Sequence, residues 1–155
     1  MADNTKLIEG TKQLIYRIFT SINPAIYLDM RCKDAPIVLG VITGLRKCRN
    51  FRFYTNKHIA KLNGHQYQDL VETTDLLLAF RVPANEEKQS YFPLDVKNSG
   101  GYIVAITDNE KDDKYFGNFD LYFVGDMPGM FPSVIQILEK GNEYAKGNKD
   151  QIPMY

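Results

Sequence analysis

Cysteine is scarce in this chain of 155 residues: Cys32 and Cys48 are the only two, and neither has a Cys or His neighbour at metal-ligand spacing. That argues against a disulfide framework and a zinc site, and two reduced, packed thiols are expected. No segment approaches the roughly 18 consecutive apolar residues of a membrane span. Residues 1–10 also lack the apolar stretch of a signal peptide. The expected setting is intracellular, in the cytoplasm or in a virion assembled there, with no membrane partner. No glycine-rich cradle follows a strand and opens a helix, which leaves nucleotide chemistry without local support. Internal repeats, low-complexity segments and interior linkers are missing as well.

Acidic residues are absent between Asp34 and Asp69, an interval that holds six basic ones: Arg46, Lys47, Arg49, Arg52, Lys57 and Lys61. The chain as a whole has no formal net charge, 44% hydrophobic residues and 25% charged ones. Those proportions are ordinary for a globular domain and exclude both disorder and a fibrous repeat.

Residues 4–21 place Leu7, Ile8, Thr11, Leu14, Ile15, Ile18 and Phe19 on one helical face, with Asn4 or Thr5 as N-cap and Asn23-Pro24 as a stop. Ile26, Leu28, Met30 and Cys32 then alternate with polar residues, the period-two pattern of a half-buried strand. The β-branched run from Ile37 to Thr43 reads as a second strand, and residues 48–54 as a third. Thr55 can cap a short helix that Gly64 ends. Residues 65–74 are ambiguous. Strands are expected at 76–82, 91–97, 102–107 and 118–124, joined by short polar links that favour antiparallel pairing. A last amphipathic helix spans 132–140. The expected class is α+β: a mainly antiparallel sheet of about seven strands, with an N-terminal amphipathic helix, a short middle helix and a C-terminal helix. Residues 1–146 would form the single domain and 147–155 a flexible or partner-docking tail.

Three constellations suggest chemistry. Asp75 opens one expected strand and Asp95-Val96-Lys97 ends the next, so two carboxylates and a lysine would converge at adjacent strand ends. Such a set can hold a divalent cation and stabilise a developing phosphate charge. The spacing resembles the PD-(D/E)XK nuclease family, and the resemblance implies a metal-dependent nuclease with Asp75, Asp95 and Lys97 as its catalytic residues. In the basic interval, Arg46, Lys47, Arg49 and Arg52 interleave with Phe51, Phe53 and Tyr54, with Lys57 and Lys61 beyond, a pattern suited to phosphate and base contact. Residues 115–124 carry large side chains on both faces, and Met127, Met130 and Phe131 follow in a proline-glycine loop. Together with Tyr122 and the apolar end Ile152, Met154 and Tyr155, they make a candidate partner surface.

His58 and His65 have no triad partner pattern and read as surface residues. Residues 108–113 lack the glycine and the acid of a calcium loop and read as a solvated turn.

The favoured reading is a non-enzymatic interaction or assembly module without cofactor or metal, a subunit of a homo- or hetero-oligomer. In element order it is similar to small phage head-to-tail connection and tail-completion proteins. A divalent-metal nuclease and a nucleic-acid-binding accessory protein are the alternatives.

Overall fold

The computed structural model describes residues 4–30, 35–80, 92–107, 120–124, 131–132 and 134–140. Helix α1, Asn4–Thr20, forms where the apolar periodicity places it, with Leu14 and Ile18 buried one turn apart. Strand β1, Pro24–Leu28, follows and is buried along its whole length. Helix α2 spans Ala35–Cys48 and strand β2 Arg52–Thr55. Thr55 caps α3, Asn56–Ala60, through a reciprocal box with His58: its side chain accepts the His58 N–H at 3.3 Å while His58 Nδ1 accepts the Thr55 N–H at 3.0 Å. Asn63 and Gln66 build the same box at the start of α4, Gly64–Thr73, so Gly64 opens a helix where it was expected to close one. Strand β3, Leu76–Phe80, helix α5, Phe92–Asn98, and strands β4, Tyr102–Thr107, and β5, Leu121–Val124, complete the order, with residues 134–140 helical.

The five strands form one sheet in the order β2-β1-β3-β4-β5, and every pairing is parallel. This corrects the expected antiparallel α+β sheet of about seven strands: the protein is a doubly wound α/β domain. Successive residues of β3 serve opposite faces. Leu76, Leu78 and Phe80 join a core with α1, α2 and the helical residues 134–140, whereas Leu77 and Ala79 join a second core with α3, α4 and α5. Strands covered on both sides need no polar alternation, which is why their sequences are near-continuous apolar runs.

Two expected strands are helices. In α2 the buried residues are Val38, Ile42, Leu45 and Cys48, spaced by four, three and three, while Ile37, Gly40 and Thr43 face solvent. That is the 3.6-residue period, and tertiary burial overrides the β-branched propensity. In α5, Phe92, Pro93 and Val96 are buried, with the proline in the first turn, where its missing N–H is of no consequence. The following Gly100-Gly101 is a helix C-cap, not a strand link. Gly101 N–H donates to Val96 O at 2.9 Å and Gly100 N–H to Lys97 O at 3.0 Å, with Gly100 at φ +100°.

Cys48 is therefore helical too. Its thiol lies 3.5 Å from Gly44 O, and burial, followed by the Glu139 charge, pushes its pKa up. Among the described residues no helix is long and apolar enough to cross a membrane. Cys32, the loop 108–113 and the tail 147–155 lie outside the described residues.

Candidate functional site

In a parallel doubly wound sheet, the crossovers on either side of the point where strand order reverses leave in opposite directions. They open a crevice beyond the C-terminal strand ends. Here the reversal falls between β1, which connects outward to β2, and β3, which connects the other way to β4. The crevice thereby lies beyond the ends of β1 and β3; the residues that follow β3 are outside the described ones, and the end of β1 is described together with its other neighbour, β2.

Asp29 directly follows the apolar strand Pro24–Leu28 and is fully buried. Beside it, the Met30 N–H donates to Asn56 Oδ1 at 2.9 Å. Leu28 and Thr55 stand in register on adjacent strands, which sets Asn56 across from the first residues after β1. The exposed Lys57 lies in the first turn of α3. Asp29, Thr55, Asn56 and Lys57 thus gather a carboxylate, a hydroxyl, an amide and an ammonium at one strand edge. Arg31 and Lys33, in the sequence joining β1 to α2, lie outside the described residues. Such a set offers both partners for ligand hydroxyls and positive charge for an anion.

The residues singled out from the sequence are dispersed. Asp75 precedes β3 at the opposite edge of the sheet, where its carboxylate accepts the N–H groups of Ile22 at 2.6 Å and Asn23 at 2.9 Å. Asp95 and Lys97 lie on α5: Asp95 accepts the Tyr67 hydroxyl, and Lys97 pairs with Asp120 at 2.7 Å. Burial, then the bond to Asp95, holds the Tyr67 phenol far above its ordinary pKa. Among the described residues no cluster of three or more metal-ligating side chains occurs. The nuclease expectation fails on this geometry, because each of its three groups is directed to a different structural partner.

The basic interval is divided as well. Arg46 and Lys47 end α2, and Arg52 opens β2, whereas Lys57 and Lys61 lie beyond the other end of β2. Two of these cations hold backbone: Arg46 Nε donates to Phe51 O at 3.3 Å, and Arg49 donates to Ser21 O. Of the candidate partner surface, Phe131 is buried against Phe80, with ring centroids 5.5 Å apart, and is a core residue. Tyr122 stands opposite Ala105 on β5. Met127, Met130, Ile152, Met154 and Tyr155 lie outside the described residues. His58 and His65 are exposed, as expected.

Sequence reasoning found Thr55 through its capping signal but missed Asp29 and Asn56. A carboxylate placed directly after five apolar residues was the available sign for Asp29. Nothing local marks Asn56, whose partner is 26 residues away.

Two solved structures share this architecture. A candidate sugar-phosphate isomerase from Listeria monocytogenes superposes with a TM-score of 0.60 at 15% identity, covering 90% of this chain and 80% of that one. The sugar isomerase domain of an RpiR transcription factor from Sphaerobacter thermophilus gives 0.55 at 15% identity, covering 96% and 86%. The chain has the fold of sugar isomerase domains. No family model and no curated protein matches the sequence. The expected phage-type assembly module and the nuclease are both overturned: the described strands pair in parallel, and the structural neighbours are sugar isomerase domains.

Proposed function

We propose that the chain is a sugar-phosphate-binding domain whose ligand sits at the C-terminal strand edge, over the reversal between β1 and β3. The observation that carries this reading is the strand order β2-β1-β3-β4-β5, which creates the crevice where open α/β sheets take ligands. The ligand class is suggested by the two neighbours, a candidate sugar-phosphate isomerase and a sugar isomerase domain of a regulator. Asn56 and Thr55 are assigned to sugar hydroxyls. Lys57, with Arg31 and Lys33 of the β1–α2 connection, is assigned to the phosphate. The N-terminus of α2 follows that connection, and its helix dipole favours an anion.

Binding that regulates another molecule is the preferred outcome, after the pattern of the second neighbour. Readout would pass to a further protein chain, with nucleic acid as its eventual target. Phosphorylated sugars, being charged, are retained in the cytoplasm, and the chain would meet them there.

Calorimetric titration with pentose and hexose phosphates tests the reading. Saturable binding of at least one phosphorylated sugar, weakened at least tenfold in Arg31→Gln/Lys33→Gln, is expected. Absence of binding across the panel would reject it. Carbon NMR of the bound sugar phosphate, followed over time, separates a binding domain from an isomerase.

A further inference from the structure

A concavity lies at the other edge of the sheet, before the strands begin. It is a cleft of about 320 Å³ whose wall includes Arg17, Thr20, Ser21, Asp75, Tyr102 and Asp120. That volume is at the lower end of small-molecule sites, which run from roughly 300 to 1,000 Å³.

Arg17, in the last turn of α1, lies over the Tyr102 ring, its Cζ 4.0 Å from the ring centroid. Its Nε is buried and has no hydrogen-bond partner. A buried guanidinium donor without an acceptor is costly; the Nε is closed to solvent, so an acceptor in the cleft would be met by the rest of the guanidinium. Tyr102 opens β4, and β4 lies between β3 and β5. Asp75 immediately precedes β3 and Asp120 immediately precedes β5, so a carboxylate flanks Arg17 on each side. Neither reaches it. Among the described residues the ion pairs are Glu9–Lys12 and Lys97–Asp120.

This arrangement discriminates between ligand charges. A bare anion on Arg17 would face two carboxylates, and a bare cation would face Arg17. Asp120 is already matched by Lys97 at 2.7 Å and accepts the Ile103 N–H at 2.9 Å. Asp75 has only amide donors on its two oxygens, and each oxygen keeps a further lone pair. The hydroxyls of Thr20 and Ser21 donate to Tyr16 O and Ile18 O, so their oxygens remain acceptors on the same wall. We infer that this cleft binds a small zwitterion of the α-amino acid class, its carboxylate on Arg17 and its ammonium on Asp75. The site is independent of the sugar-phosphate reading and lies on the opposite edge of the sheet.

Backbone amide NMR of the intact protein, titrated with each standard amino acid at millimolar concentration, tests the inference. At least one should give saturable shifts at Ser21, Gly101 and Tyr102, without shifts at Met30 and Asn56. Its N-acetyl derivative, lacking the ammonium, and its amide, lacking the carboxylate, should each bind at least tenfold more weakly. Arg17→Gln should lower affinity by a similar factor, with Arg17→Lys retaining part of it as the milder change. Failure of all amino acids to bind, equal binding of the N-acetyl or amide form, or an unchanged affinity in folded Arg17→Gln or Arg17→Lys would overturn it.

Discussion

Asn56 accepts the backbone N–H of Met30 at 2.9 Å, joining the start of α3 to the first residues beyond β1. The bond spans the two strands on one side of the strand-order reversal and fixes the separation of their C-terminal ends. The proposed ligand site therefore depends on a side chain that also has a structural task.

Asn56→Ala leaves the Met30 N–H without its acceptor. A loss of about 1–2 kcal/mol in unfolding free energy is expected, together with weaker sugar-phosphate binding. Asn56→Asp keeps an acceptor at that position and should recover more of the stability than of the affinity for a phosphorylated ligand. Urea unfolding and calorimetry on the same preparations check both.

Tyr67 donates its hydroxyl to Asp95, linking α4 to α5, and its pKa is raised above the ordinary value of 10.0. Below that value both folded and unfolded chains keep the phenol protonated. Above it the unfolded chain ionises first, so the Tyr67 contribution to stability declines as pH rises. Tyr67→Phe should cost about 1 kcal/mol at neutral pH and flatten the alkaline fall in stability. Denaturant midpoints measured on either side of that value test the sign.

Gly101 and Gly40 should respond in opposite directions to alanine. A Cβ at Gly101 would meet Val96 Cγ1 at 2.6 Å and Thr74 O at 2.8 Å, and the second atom is backbone that cannot swing away. A loss of about 1–3 kcal/mol is expected. A Cβ at Gly40 meets nothing within 4 Å on the solvent side of α2, and alanine there should stabilise by roughly 0.5–1 kcal/mol. Thermal midpoints of the two variants provide the comparison.

Phe131→Ala should behave as a core truncation, costing about 3–5 kcal/mol, because the ring is buried against Phe80. A partner-facing phenylalanine would instead lose association while the isolated domain kept its stability. Unfolding curves and solution mass distinguish the two.

Local signals were legible and pairing direction was not. The periodicity of α1, the Thr55 cap and the apolar runs of β3 and β4 each follow from neighbours in sequence. Leu76-Leu77-Leu78-Ala79-Phe80 marks a strand, yet a strand buried on both faces gives no alternation to show which way its neighbour runs. Short polar links suggested hairpins because the helices between them were read as strands. Ile37 to Thr43 contains a helical burial pattern, Val38 to Ile42 to Leu45, beneath β-branched residues that favour extended chain. At 91–97 a strand was expected, while the buried set is Phe92, Pro93 and Val96, a helical spacing. Asp75 was marked as chemically interesting, but its partners, Ile22 and Asn23, are 53 and 52 residues away, and no local pattern announces them. The candidate site was hidden for the same reason, since it exists only once β1, β2 and β3 stand side by side.

The most direct measurement is backbone amide NMR during titration with a hexose or pentose phosphate that binds. The account predicts saturable shifts concentrated at Leu28 to Met30 and at Thr55 to Lys57, with Ser21, Gly101 and Tyr102 unmoved. Shifts concentrated instead at the N-terminal strand edge, or no saturable shift with any phosphorylated sugar, would contradict it.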